Sequence, residues 1–237
     1  MILLFHDSLG SVEQWRDFPE KLAAQTGLTT IAYDRLGFGR SDAHPGLLGK
    51  DFVFSEAEVG VSAVRETFEM NRMILAGHSV GGGMSIATAA AFPGVTSAVI
   101  TMAAQAFIED RTLNGIIAAK NVFNQPGQID RLVRYHGDKA RWVLDAWTET
   151  WLSPIFANWN LDDALRRVQC PILAISGDRD EYCSLAQVQR IAAMAKGPTT
   201  IEVIEDCGHV VQREKPDTVL NIITTFISRL DLAVANI

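Results

Sequence analysis

At 237 residues and 48% apolar composition, the chain is long enough to bury a sizeable core within one large α/β domain, and it is neither disordered nor fibrous. Its formal net charge of −7, with no dense Lys/Arg run and no aromatics interleaved with basic residues, argues against nucleic-acid binding, which needs clustered cations. No apolar run approaches the ~18–20 residues that span a bilayer, and the opening MILLF is too short for the apolar region of a signal peptide, so a cytoplasmic protein with no membrane association is expected.

In chain order, Ile2 to Phe5 and Thr29 to Tyr33 read as strands, with a helix between them from Val12 to about Gln25. Ser11 followed by Gln14 has the form of a capping box, and Gly27 is a natural helix stop. A helix is expected over Ser55 to Met70, a strand over Met73 to Ala76, a helix over Val80 to Phe92 and a strand over Val95 to Met102. Residues 103–168 have a different texture. They read as helices without strands and hold four of the five tryptophans (Trp142, Trp147, Trp151, Trp159). The alternation resumes with a strand at Ile172 to Ser176, a helix near Ser184 to Ala195, a strand at Thr199 to Ile204 and a last helix from about Asp217 to Arg229. Apolar strands alternating with helices imply a mostly parallel sheet covered on both faces, with ligands bound at the carboxyl ends of its strands. The core is therefore expected over 1–102 and 169–237, with 103–168 inserted over the active edge as a helical cap. Aromatics at helical spacing there, such as Trp147 and Trp151, suit either packing or an apolar acyl or aryl pocket.

Cys170, Cys183 and Cys207 are too few and too scattered for a disulfide framework or a zinc site, and read as small packed residues. Gly77-His78-Ser79-Val80-Gly81 fits G-x-S-x-G where that motif needs to be, after a strand and before a helix. Such a turn lifts the serine hydroxyl above the sheet, keeps its neighbours small where backbones pass closely, and turns the Val80 N–H toward a developing oxyanion. A serine hydroxyl needs a base, and the base needs an acid to hold its tautomer. Two later loops supply them in that order: GDRDE after the strand ending at Ser176, and EDCGHVVQREKP after the strand ending at Ile204. Cys183 and Cys207 lie near these loops but lack the elbow context of a nucleophile.

HDSLGS, YDRLGFGRSD, GHSVGG, GDRD and GHVVQREKP, in this order and across nearly the whole chain, resemble the α/β-hydrolase superfamily in its branch with a helical cap. The resemblance implies Ser79 as nucleophile, Asp180 as acid and His209 as general base, with no metal or organic cofactor. Asp178 shares the acid turn; the family's G-x-x-D counted from Gly177 points to Asp180, with Asp178 as a turn residue. The oxyanion donors would be the backbone N–H groups of Val80 and Ser8. Leu9, Trp147, Trp151 and Val210 are expected to line the substrate pocket.

The sequence departs from the family pattern at two places. Asp7 replaces the usual glycine, and a carboxylate facing the oxyanion would oppose the transition state, so Asp7 is expected to turn away and pair elsewhere, with Arg35 as a candidate. Asp34 and Arg35 are expected to pair internally, His6 and His78 to bond locally, and His44 and His136 to be exposed. The family's antiparallel hairpin does not precede Ile2, which would leave the strand Thr29 to Tyr33 at a bare edge and make either a monomer or a homodimer the expected state. The activity expected is hydrolysis of small to medium carboxylic esters through an acyl-enzyme. Lactone, thioester and C–C bond cleavage on the same triad remain open, as does a nearly inactive ligand receptor of the same fold.

Overall fold

The computed structural model describes residues 1–230. Strand β1 (Ile2–Phe5) leads through a 3₁₀ turn (Val12–Trp15) to α1 (Phe18–Thr26) and β2 (Thr30–Ala32), then α2 (Phe52–Glu58), α3 (Gly60–Thr67), β3 (Met73–His78), α4 (Val80–Ala91) and β4 (Thr96–Met102). Residues 103–168 hold α5 (Asp110–Phe123), α6 (Asp130–His136), α7 (Ala140–Trp151) and α8 (Asp162–Leu165), with two short 3₁₀ turns and one isolated bridge from Phe107 to Asn160. The chain then returns as β5 (Ile172–Gly177), α9 (Ala186–Met194), β6 (Thr199–Ile204), α10 (Val211–Glu214) and α11 (Pro216–Ser228).

The strands form one parallel sheet in the order β2-β1-β3-β4-β5-β6. Alternate residues of each strand feed opposite faces. Ile2, Leu4, Ile74, Ala76 and Ile100 pack against Phe18 and Leu22 of α1 and Leu220 and Ile223 of α11. Leu3, Phe5, Leu75 and Val99 pack on the other face with Val53, Val61, Met84 and Ile191 of α2, α3, α4 and α9. With helices on both sides no strand position of β1 meets water, which is why it is apolar throughout rather than alternating. Each such Leu, Ile or Phe contributes roughly 1.5–3 kcal/mol by leaving water.

Three local expectations need correction. The helix expected from Val12 does not run through to Gln25, because Arg16 takes φ 54° and Pro19, in the first turn of α1, cannot continue a preceding helix. Ser11 makes no capping bond, and its hydroxyl is buried without a protein partner, while Gln14 Nε2 donates instead to Leu9 O at 2.7 Å. The helix expected from Ser55 to Met70 begins at Phe52 and breaks at Val59 into α2 and α3. Gly60 opens α3 beside the Glu56 carboxylate, which accepts the Tyr33 hydroxyl at 2.6 Å. Gly27 does stop α1, at φ 69° with its N–H on Ala23 O.

The inserted helices have a small core of their own (Leu132, Ala140, Leu144) that reaches Leu9 in the loop after β1. Trp151, Phe156 and Trp159 form an aromatic cluster that joins them to α2 through Phe52 on Phe156. Trp142 stacks on His44, with ring centroids 5.1 Å apart, and donates its indole N–H to Gly46 O. Because the Ser11 hydroxyl makes no cap, Ser11→Ala is expected to be neutral or slightly stabilising in urea unfolding; a true capping box would make the same change cost about 0.5–2 kcal/mol.

Candidate active site

At the carboxyl end of β3 the chain turns sharply into α4 through Ser79, which has φ 55° and ψ −125°. A non-glycine residue in the left-handed region stores strain that only close packing sustains. That packing is present: a Cβ at Gly77 would collide with the Gly81 carbonyl, and one at Gly81 with the Phe5 carbonyl at the end of β1. The glycines thus bring the elbow against the loop after β1. Among the described residues, the backbone N–H groups of Val80 and Ser8 donate to no protein acceptor. Val80 opens the twelve-residue α4, so its N–H also carries the positive end of the helix dipole.

The turn after β5 and the loop after β6 supply an acid and a base. His209 Nδ1 lies 2.8 and 3.0 Å from the two carboxylate oxygens of Asp180, and both residues are buried. A carboxylate only accepts, so Nδ1 carries the hydrogen and Nε2 is the nitrogen left for a hydroxyl. Burial alone would raise the Asp180 pKa; hydrogen bonds from His209 and from the N–H groups of Tyr182 and Cys183 outweigh it and hold the carboxyl below its usual range. Asp178 is exposed and accepts the Cys207 N–H at 3.1 Å, while its own N–H and that of Arg179 donate to Ile204 O and Cys207 O. It ties the acid turn to the base loop and does not touch His209.

Ser79 Oγ donates to Gln105 Oε1 at 3.3 Å. Gln105 is buried just past the carboxyl end of β4, and sequence reasoning missed it. The one signal for it was positional, a polar residue in an apolar run (AAQAF) where a parallel sheet presents its ligands. Tyr182, whose ring lies 4.8 Å from that of His209 between centroids, was missed as well.

Asp7 does turn to a partner, but not to the expected one. Its carboxylate accepts the Leu9 N–H at 2.9 Å and lies 3.2 Å from His78 Nδ1, whereas Arg35 Nη2 donates to the Asp7 backbone carbonyl at 2.9 Å. Burial would raise the Asp7 pKa, but the hydrogen bond and charge of His78 overcome it and push the carboxyl well below its usual range. His78 Nε2 faces His209 O at 3.0 Å, so both ring nitrogens meet acceptors and one imidazole links the oxyanion loop to the base loop. Asp34 and Arg35 do not pair with each other: Asp34 accepts the N–H groups of Val12 and Arg40. His6 is held neutral by burial and by the nearby Arg35 charge, donating from Nδ1 to Asp7 O and accepting Arg35 N–H at Nε2.

Ser79, His209, Gln105, Ser8 and Asp7 line one cavity of about 290 Å³, whose walls include Leu9, Trp147, Trp151 and Val210 together with Ile116, Phe123, Tyr182, Arg131 and Arg213. Trp151 is almost fully buried in the aromatic cluster; Trp147 is half-buried against Tyr182. His136, expected at the surface, is buried, taking the Gly39 N–H at Nδ1 and facing Leu9 O with Nε2, while His44 is half-buried under Trp142. The donor atoms of Asp180, Cys183 and His209 lie within 4.8 Å of one another, but burial pushes the Cys183 thiol well above its ordinary range, which favours a neutral thiol over a metal-binding thiolate. All three cysteines are free.

The depressed Asp7 pKa makes its contribution to stability full above the unfolded carboxyl value near ~4 and lost as pH falls below it toward the lower folded value. Asp7→Asn is therefore expected to lower the melting temperature at pH 7, with the gap to wild type narrowing by pH 3; an equal gap at both pH values would show that the ionised Asp7 carboxylate contributes nothing.

Residues 2–222 match the model of the alpha/beta hydrolase family. The chain is 22% identical, over 96% of its length and 87% of the relative's, to 2-(acetamidomethylene)succinate hydrolase of Mesorhizobium japonicum. Among solved structures, it superposes on 2-hydroxy-6-oxo-6-phenylhexa-2,4-dienoate hydrolase of a Rhodococcus strain with TM-score 0.78 at 18% identity, covering 96% of this chain and 90% of that one. A thermophilic esterase of Thermogutta terrifontis aligns with TM-score 0.73 at 18% identity, over 96% and 89% of the two chains. With the parallel sheet, the strained serine elbow and a family match across nearly its whole length, the chain belongs to the alpha/beta hydrolase family.

Proposed function

We propose that this hydrolase cleaves carboxylic esters of small to medium apolar acids through a Ser79-His209-Asp180 triad and an acyl-enzyme. The observation that carries the reading is the buried His209–Asp180 hydrogen bond, which commits Nδ1 and leaves Nε2 to a cavity shared with the strained Ser79 hydroxyl. In the reaction, Ser79 Oγ exchanges its bond to Gln105 for one to His209 Nε2 and attacks the ester carbonyl as the imidazole takes its proton. The N–H groups of Val80 and Ser8 receive the oxyanion; removing such a donor typically costs a rate factor of ~10²–10³. The alkoxide leaves with the proton from His209, and water, activated by the same imidazole, releases the acid. Asp7 is compatible with this charge flow because its carboxylate is spent on His78 and the Leu9 N–H.

Three sets of variants test the assignment. With p-nitrophenyl acetate, wild type is expected to give a stoichiometric burst followed by turnover, both absent from Ser79→Ala, while ligand binding without turnover in the wild type would mean a receptor. Asp180→Asn is expected to lower kcat by roughly 10³–10⁴, whereas Asp178→Asn, whose amide oxygen still accepts the Cys207 N–H, stays within about threefold; the reverse order would move the acid to Asp178. Gln105→Met removes the acceptor that competes with His209 for the hydroxyl, so acylation measured by stopped flow is expected to quicken by about two- to tenfold. A slower burst would mean that the Gln105 amide serves the substrate instead.

A further inference from the structure

A second cavity, of about 420 Å³, is lined by Arg35 and Phe38 and does not contain Ser79. It lies under the irregular segment between β2 and α2, and Leu36, Phe38, Leu48, Phe52 and Val59 supply its apolar wall. A small pocket of about 10 Å³ shares lining residues with both this chamber and the catalytic cavity, and so forms a narrow neck between their walls. This neck shares Ser8, Trp147 and Trp151 with the catalytic side and Arg35, Phe38, Leu48 and Phe52 with the outer chamber. Val80, the elbow residue whose N–H faces the oxyanion, completes its inner end. The neck is no wider than about one water, and it closes on Leu48, which belongs to neither a helix nor a strand.

We propose that the two cavities are one substrate site, and that the outer chamber takes the extended aliphatic arm of the acyl group. The inference rests on the ester-hydrolase reading above and deepens it. The direction follows from proton transfer. The leaving alcohol must stand beside His209 to receive its proton, and His209 does not line the neck, whereas both oxyanion residues do. The group that stays on Ser79 beside those N–H groups is the acyl group, so the neck is its exit. The wall chemistry agrees: the chamber is lined mainly by apolar carbon, and at its rim Leu36 is 45% and Val59 66% exposed, an unfavourable display of apolar surface that an alkyl arm would cover. Arg35, 3% exposed, lines both the neck and the chamber, but its guanidinium is turned to other partners there, with Nη2 on the Asp7 carbonyl and its carbon over the Phe38 ring at 4.2 Å.

The experiment is a chain-length series of p-nitrophenyl esters, acetate to octanoate, read as the ratio of kcat/KM for octanoate to that for acetate. Each methylene buried in the chamber is worth up to about fourfold, so wild type is expected to prefer octanoate by at least tenfold. Leu48→Trp fills the neck and is expected to reduce that ratio at least tenfold. Leu48→Ala opens the neck, and the ratio rises. Val59→Arg, on the exposed rim where folding is not at stake, places a charge in the chamber and lowers the ratio as well. Ratios unchanged in Leu48→Trp and Val59→Arg, with both proteins shown folded by circular dichroism, would overturn the proposal. Acetate hydrolysis that survives Ser79→Ala would sink the triad reading instead, so the two failures are distinguishable.

Discussion

The closeness of two backbones at the carboxyl end of the sheet governs the rest of this molecule. The first turn of α4 lies so close to the end of β1 that Gly81 has no room for a methyl group, and it folds back so tightly on the end of β3 that Gly77 has none either; between them Ser79 is held in a left-handed conformation. Val80 and Ser8 each belong to one of the two segments in contact, and both line one small pocket. A looser approach would relax the serine and part the two segments at once.

Around that contact, polar side chains fasten loops that the sheet alone would leave independent. Asp7 on the β1 loop, His78 at the end of β3 and the His209 carbonyl on the β6 loop form one line of contacts. A carboxylate in the oxyanion loop would be a liability if it faced developing negative charge. Here it is matched to a ring inside the elbow and works as a fastener. Arg35 supports the same loop from below through the Asp7 carbonyl, and its own position against the Phe38 ring, 4.2 Å from the centroid, is fixed by the turn that follows β2.

Much of this was legible in the sequence because its causes are local. Strands buried on both faces read as unbroken apolar runs, and a serine between glycines at a strand-to-helix junction announces its turn. The two loops singled out after the later strands are ones that the fold brings together, His209 Nδ1 lying 2.8 Å from Asp180. What escaped reading depends on side chains meeting across the chain. Nothing in HDSLGS says that Asp7 will meet His78 rather than Arg35, since the separation of 71 residues is closed only by the fold. Gln105 was invisible for the same reason, and His136 was misjudged because a polar residue on a short helix can be buried when two core loops offer it a donor and an acceptor. The Ser11–Gln14 pair shows the converse, a correct local pattern overridden when Gln14 found a better acceptor in Leu9 O and a second partner in Arg213.

The ties between the turn after β5 and the loop after β6 carry a consequence for how such a protein changes over time. Backbone bonds from Asp178 and Arg179 to Ile204 and Cys207, reinforced by the Asp178 side chain, bind the Asp180 turn and the His209 loop into one unit. Helix α5 is fastened to the same unit, Arg111 Nη1 donating to Asp180 O and the Thr112 hydroxyl to Tyr182 O, so a change in that helix reaches the acid turn directly. Walls and acid turn are therefore coupled through α5, and a graft of roughly 177–209 would have to carry Arg111 and Thr112 with it.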